Sequence, residues 1–164
     1  MIFVTVGTHE QPFDRLLKKM DELVERGVIQ EEVIIQTGFS TYEPKFCTHS
    51  KLLPYNQMQE NVSKARIVIT HGGPASFISV LQVGKIPVVV PRKSEFNEHV
   101  NDHQLAFARE VAQRRGNILV VEDIEKLEEM ITDYDQIIAQ LSVGDFSNNE
   151  VFCREFEALV DNLF

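Results

Sequence analysis

Two hydrophobic rhythms alternate along the chain: short unbroken runs of β-branched and aromatic residues, and longer stretches in which apolar residues return every three or four positions. The first rhythm predicts strands, the second amphipathic helices. Ile2–Val6 is the opening strand, broken by Gly7-Thr8-His9-Glu10-Gln11-Pro12. After it, Phe13, Leu16, Leu17, Met20, Leu23 and Val24 fall on one helical face, and Gly27 is placed to end that helix. Val33-Ile34-Ile35 makes a second strand, closed by Thr37-Gly38. Strand, helix and strand in succession form a βαβ unit, whose strands run parallel.

The stretch Thr37–Pro54 is less regular, with turn residues Gly38, Ser40 and Pro44 and short strands expected near Phe46 and Leu52. Gln57–Lys64 reads as a short helix with Met58, Val62 and Ala65 inward. Ile67-Val68-Ile69 is a third clear strand and runs into His71-Gly72-Gly73-Pro74; a helix follows from Ala75 to Val83, ended by Gly84. Pro87–Pro91 encloses a buried strand, and Arg92–His99 a polar, mobile loop. Asn101–Arg114 is helical with Leu105, Ala106, Ala108, Val111 and Ala112 inward, closed by Gly116. Ile118–Val121 is the last strand, and Asp123 caps a helix over Ile124–Thr132.

This alternation predicts an α/β fold, a Rossmann-like open parallel sheet with helices on both faces, in one domain over residues 1–164. Such sheets bind ligands beyond the carboxyl ends of their strands, which puts His9, His71 and the Arg92–Gln104 segment in one crevice. Towards the end of the chain, Val151, Phe152, Phe156, Leu159, Val160, Leu163 and Phe164 form an apolar stripe on a helix beginning near Ser147. That helix over residues 147–164 either packs on its own sheet or docks a partner.

Length and charge narrow the function. The chain has 164 residues, 43% of them apolar, which is one domain with a substantial core. Sixteen basic residues stand against 25 acidic ones, a net charge of −9. That balance argues against a nucleic-acid binder and against an electrostatic membrane anchor. No apolar run approaches the roughly 18–20 residues of a membrane span. The opening residues lack the basic lead and long apolar stretch of a signal peptide, so a cytoplasmic chain is expected. Cys47 and Cys153 lie far apart in no metal-like spacing, as reduced thiols do.

Familiar nucleotide motifs are missing: Gly7 stands alone after the first strand, and Gly84-Lys85-Ile86 lacks the spacing of a phosphate loop that ends in Lys-Ser/Thr. His71-Gly72-Gly73-Pro74-Ala75-Ser76 is more informative. Glycines between strand and helix let a ligand approach the backbone, and the helix start offers N–H groups and a dipole to a phosphate without a metal. Ser76 adds a hydroxyl and His71 a ring donor; the plainer alternative is a tight turn that only shapes the helix start. His99 and His103 are spaced to share a helical face, open to a metal, to an organic ligand, or to solvent alone. His9-Glu10 is either an acid/base pair at the end of the first strand or an exposed loop pair.

Taken together, Val4–Thr8, Thr70–Ser76, Gly84–Arg92 and Asn101–Gln104, in that order, resemble the donor-binding half of GT-B glycosyltransferases. The resemblance is to the small single-domain group, similar to the glycosyltransferase family 28 C-terminal domain. That group includes the soluble subunit of the two-part eukaryotic UDP-GlcNAc transferase and bacterial exopolysaccharide or capsule β-1,4-galactosyltransferase subunits. Gly7–Asp14 and Glu98–Gln104 resemble the bacterial branch in particular.

The resemblance implies that His71, Gly72, Gly73 and Ser76 hold a donor diphosphate, that Arg92 belongs to the same site, and that Asp102, His103 and Gln104 meet the donor sugar. It implies no cofactor and no metal, with the UDP-sugar as substrate. Where the family carries a ribose-gripping glutamate, this chain has Ser79, shorter and uncharged. A GT-B enzyme works between two domains, so a membrane-associated acceptor-binding subunit presenting a lipid-linked saccharide is expected as partner. The chain is then a cytoplasmic protein, peripheral at the membrane through that partner. The reaction implied is inverting displacement of UDP by an acceptor hydroxyl, with His9, assisted by Glu10, as the base. The rivals are a non-catalytic UDP-sugar-binding or scaffold subunit, a UDP-GlcNAc transferase, and a metal hydrolase around His99, Asp102 and His103.

Overall fold

Unbroken β-branched runs form strands here because both faces of the sheet are covered. The computed structural model describes residues 1–141, whose six strands are β1 (Ile2–Thr5), β2 (Val33–Gln36), β3 (Thr48–Ser50), β4 (Ile67–His71), β5 (Val88–Val90) and β6 (Leu119–Val120). All pair in parallel, in the order β3-β2-β1-β4-β5-β6. In the central pair Ile2 faces Ile67 and Thr5 faces Thr70. The chain winds outward to one side of β1 and then to the other side of β4, so the crossovers diverge there and leave a crevice beyond the strand ends.

Among the described residues six α-helices cover the sheet: α1 (Asp14–Glu25), α2 (Tyr55–Lys64), α3 (Pro74–Gln82), α4 (His103–Arg115), α5 (Leu127–Thr132) and α6 (Tyr134–Gln140). One face of the sheet presents Ile2, Val4, Ile67, Ile69, Val88 and Val90 to Leu16, Leu17, Met20 and Leu23 of α1 and to Leu127, Ile131 and Tyr134. The other presents Phe3 and Val68 to Val62 and Val80, and Val89 to Phe77, Leu81, Phe107 and Val111. Alternation along each strand thus supplies two cores, and the layers are helix, sheet, helix. The Tyr134 hydroxyl, buried, donates to the Ile86 carbonyl at 2.6 Å and ties α6 to the segment leading into β5.

Several expectations need correction. The irregular stretch after β2 holds one strand, β3, between the two places expected. The helix after β5 starts at His103 and turns Phe107, Ala108 and Val111 inward, leaving Ala106 exposed, because the large Phe107 sets the phase of the buried face. Asp123 accepts from the Glu125 N–H as expected, but the cap opens a short 3₁₀ turn, Ile124–Lys126, before α5. The Arg92–His99 segment is not a free loop: Arg92 and Glu98 are both buried. The stripe beginning near Ser147, and Cys153, lie outside the described residues. Cys47 is buried beside Asp21, and burial, helped by that carboxylate, pushes its thiol up to about 12, so it is an inert core residue.

Two aspartates on α1 tie down the irregular stretch. Asp14 accepts from the Thr41 and Tyr42 N–H groups at 2.7 and 2.9 Å. Asp21 accepts from the Tyr42 hydroxyl at 2.6 Å and the Phe46 N–H at 2.7 Å, and both its oxygens accept from the Lys45 N–H. Burial opposes ionisation of Asp21, but these donors together outweigh it and hold the carboxyl below its ordinary value of 3.8. Asp21→Asn is therefore expected to lower stability at pH 7 by about 2 kcal/mol. The deficit relative to wild type should shrink as pH falls below 3.8, where the wild-type carboxylate is itself being protonated. Urea unfolding at pH 7 and pH 3 checks both parts.

Candidate active site

Beyond the carboxyl ends of β1 and β4 lies an open crevice of about 510 Å³. Thr5, Gly7, Thr8 and His9 bound it from the end of β1 and its loop, and His71 with Gly73–Ser76 from the end of β4 and the first turn of α3. Gln36 lies at its floor, and Leu52, Leu53 and Met58 form an apolar side. A narrower groove of about 200 Å³ shares Thr5, Met58, Ala75 and Ser76 with it and continues between α2 and α3 past Tyr55, Gln59 and Ser79.

Geometry makes His71 the keystone of the glycine turn. Its Nδ1 accepts from the Gly73 N–H at 3.0 Å, so the ring proton sits on Nε2 and is donated to Ser76 Oγ, also at 3.0 Å. Burial, reinforced by the nearby Arg92 guanidinium, pushes the His71 pKa down to about 3. His71 is thus a neutral ring that orients Ser76 and leaves the Ser76 proton free to donate outward. The glycines serve this ring first: a Cβ on either Gly7 or Gly73 would overlap it. Gly7 is also held at φ +76°, where a side chain is strained. A Cβ on Gly72 would approach Gln104 Cβ to 2.8 Å. The residues expected to admit a ligand to the backbone therefore admit His71 and Gln104.

At the start of α3, Pro74 has no N–H and the Ser76 N–H turns back to the Gly73 carbonyl at 3.1 Å. Ala75 supplies the uncommitted first-turn N–H beside the Ser76 hydroxyl, at the positive end of the helix dipole. Ser79 sits one turn on, its hydroxyl donating to the Ser76 carbonyl at 2.7 Å. It faces the narrower groove.

Arg92 departs from expectation. It has no exposed surface, and its guanidinium donates to the carbonyls of Val6, Gln11 and Glu98 at 2.7, 2.6 and 3.0 Å. Its charge is spent on backbone oxygens, so it shapes the crevice from behind and does not reach a ligand within it. Asp102 precedes α4, exposed, and accepts from the Ser94 N–H at 2.9 Å. His103 is the exposed first residue of α4. Gln104 bridges the Arg92 N–H and His71 Nδ1 at 3.3 and 3.4 Å. Glu10 is exposed next to His9. His99 lies in the loop before α4, stacked on His9, so His99 and His103 do not share a helical face. Among the described residues no three His, Cys, Asp or Glu converge as metal ligands do.

Residues that sequence reasoning passed over complete the site. Gln36 accepts from the Thr5 hydroxyl at 2.7 Å and donates to the Gly7 and Lys51 carbonyls, locking the ends of β1, β2 and β3 together. A glutamine closing an apolar strand was the available signal. Gln11 and Asn97 carried none, because their contact joins loops 86 positions apart.

An open parallel sheet with its crevice at the reversal of strand order defines a Rossmann-like, doubly wound α/β domain. The glycosyltransferase family 28 C-terminal domain matches residues 1–145, and the chain belongs to that family. It is 34% identical over 125 residues to the human UDP-N-acetylglucosamine transferase subunit ALG13, a match covering 67% of this chain and 10% of that protein. Two solved structures share its fold at 16% identity: the glycotransferase of kitacinnamycin, TM-score 0.63 over 96% of this chain, and the glycosyltransferase SnogD from Streptomyces nogalater, TM-score 0.51 over 95%. The chain spans 39% of each of those structures and about a tenth of the human relative. Among the described residues no helix is long and apolar enough to cross a membrane.

The state of His71 has a measurable consequence. The unfolded chain takes up this proton near pH 6.5, the folded one only near pH 3, so the stability tied to the neutral ring is full above 6.5 and declines as pH falls towards 3. Its ring resonances should stay constant from pH 8 to pH 5 in a histidine NMR titration. A midpoint near 6.5 would contradict the buried neutral ring.

Proposed function

We propose that the chain is the donor-binding, catalytic subunit of an inverting, metal-independent glycosyltransferase. In this reading it moves a hexose, galactose, from a UDP-sugar to a lipid-linked saccharide in bacterial exopolysaccharide or capsule synthesis. One observation carries the reading: the start of α3 opens into the crevice with the Ala75 N–H and the proton of the Ser76 hydroxyl uncommitted, and His9 lines the same crevice. The diphosphate of the donor sits on those two donors and the helix dipole. The apolar side made by Leu52, Leu53 and Met58 takes the nucleobase.

The acceptor hydroxyl oxygen attacks the anomeric carbon, and the bond from that carbon to the β-phosphate oxygen breaks. UDP leaves with the electron pair, its new charge met by the helix start, the Ala75 N–H and the Ser76 hydroxyl. The hydroxyl proton passes to His9, with Glu10 beside it. Asp102, His103 and Gln104, at the start of α4, orient the transferred sugar. A net charge of −9 repels an anionic nucleotide at long range, so recognition rests on these local dipoles.

The acceptor half comes from a second, membrane-associated polypeptide, a reading supported by the 34% identity to a human protein that is itself named as a transferase subunit. Through it the chain works at the cytoplasmic face of the membrane. A second reading, transfer of N-acetylglucosamine, is favoured by the 34% identity to a UDP-N-acetylglucosamine transferase subunit.

Reconstitution with the acceptor subunit, offering UDP-galactose and UDP-N-acetylglucosamine with and without chelator, decides among these. Consumption of UDP-galactose untouched by chelator is expected. Preference for UDP-N-acetylglucosamine establishes the second reading, and UDP binding without turnover of either donor marks a scaffold. Ser76→Ala should weaken UDP binding about tenfold by calorimetry. His9→Ala should lower turnover by about 100-fold while UDP affinity is retained.

A further inference from the structure

The loop between β5 and α4 meets the loop between β1 and α1 through contacts that the donor site does not require. The rings of His9 and His99 stack with centroids 4.5 Å apart and planes 16° from parallel. His9 Nε2 lies 2.9 Å from Gln11 Oε1, and Gln11 Nε2 donates to the Asn97 carbonyl at 3.1 Å. Asn97 is the single non-glycine residue with positive φ among the described residues, at φ 58° and ψ 32°. A residue in that region persists where its surroundings demand it, often at a functional site.

These contacts fix the orientation of the Gln11 amide and the proton on His9 Nε2. The Asn97 carbonyl can only accept, so the Gln11 amide must turn its nitrogen towards it and its oxygen towards His9. That oxygen can only accept, so His9 carries its proton on Nε2. In the neutral ring the Nδ1 of His9 keeps its lone pair, and it has no hydrogen-bond partner among the described residues. The His99 ring lies flat against His9 and is itself held by the Asn101 N–H, which reaches its Nδ1 at 3.4 Å. The main chain of Gln11 is fixed as well, by the Arg92 guanidinium at 2.6 Å.

We propose that His99 is a positioning residue: with Gln11 and the left-handed Asn97, it holds the His9 imidazole as its Nε2–H tautomer, leaving Nδ1 to take the acceptor's proton. The proposal rests on the reading of His9 as the base. Gln11 occupies the place that a carboxylate takes behind a catalytic histidine elsewhere, but as a neutral amide it selects the tautomer without stabilising the imidazolium. The face of His99 restricts the ring and lies against the positive charge once the proton has moved. Together these account for two histidines and a strained asparagine converging at one edge of the crevice.

The test uses the full chain with ¹⁵N-labelled histidine, read by long-range ¹H–¹⁵N correlation, with turnover of UDP-galactose measured alongside the acceptor subunit. In the wild type His9 should show the Nε2–H pattern. His99→Ala should mix the two tautomers and lower kcat about tenfold, with KM for the donor and UDP affinity unchanged. His99→Phe keeps a flat ring against His9 and should restore both readouts. Gln11→Leu should mix the tautomers with the stack intact. An Nδ1–H pattern in the wild type overturns the inference, as does a His99→Ala protein with unaltered tautomer and kcat, or one altered only in KM. Full turnover in His9→Ala overturns instead the base assignment beneath it, a result separable from the tautomer seen in the wild-type spectrum.

Discussion

A guanidinium with no exposed surface sets the geometry of the crevice. Arg92 stands just past β5, and a buried cation without a carboxylate partner persists only where its N–H groups find oxygen. The oxygens come from Val6 at the end of β1, Gln11 in the loop that follows, and Glu98 in the loop of Arg92 itself. The Phe13 ring covers the guanidinium at 5.1 Å, while its Nε hydrogen has no partner among the described residues. Burial draws its pKa down to about 10, low for arginine and still charged at neutral pH. Satisfying that charge obliges two crossover loops to converge. The Arg15 guanidinium, gripping both oxygens of the Glu98 carboxylate at 3.0 Å, secures the same junction from α1.

On the other wall of the crevice the working principle is neutrality. His71 occupies the space that Gly7 and Gly73 leave open, and its low pKa keeps a second positive charge away from Arg92. What reaches the crevice is dipolar: the start of α3 and a hydroxyl whose direction His71 dictates. A neutral, preorganised site of this kind suits a domain whose total charge is −9, because fixed dipoles act at short range and do not depend on the field of the whole chain. The polar row of Thr5 and Gln36 at the floor then keeps the strand ends in register with the walls.

Much of this was legible in the order of residues. The β-branched runs at Ile2–Thr5, Ile67–His71 and Val88–Val90 marked strands buried on both faces, and the spacing from Leu16 to Leu23 marked the inward face of α1. The Gly-Gly-Pro turn announced a helix start at a strand end, and its neighbours His71 and Ser76 do line the crevice. What each glycine makes room for was not legible, because the His71 and Gln104 side chains arrive from a rotamer choice and from a helix more than thirty positions away. The polar segment from Arg92 to His99 read as mobile because its residues are charged and aromatic, without period. Only the folded chain supplies the carbonyls and the Arg15 partner that turn those same charges into fixed points.

The sequence by itself determined the class of fold, the parallel direction of the strands and the end of the sheet at which the crevice opens, since these follow from local periodicity and from the handedness of βαβ connections. It also determined the family, through four motifs in order. Tertiary structure alone decided which polar residues face the crevice and which are spent on holding it. It decided that Arg92 is buried, that His99 lies against His9 and that His71 serves Ser76, because each depends on partners brought from distant loops whose approach no local pattern encodes.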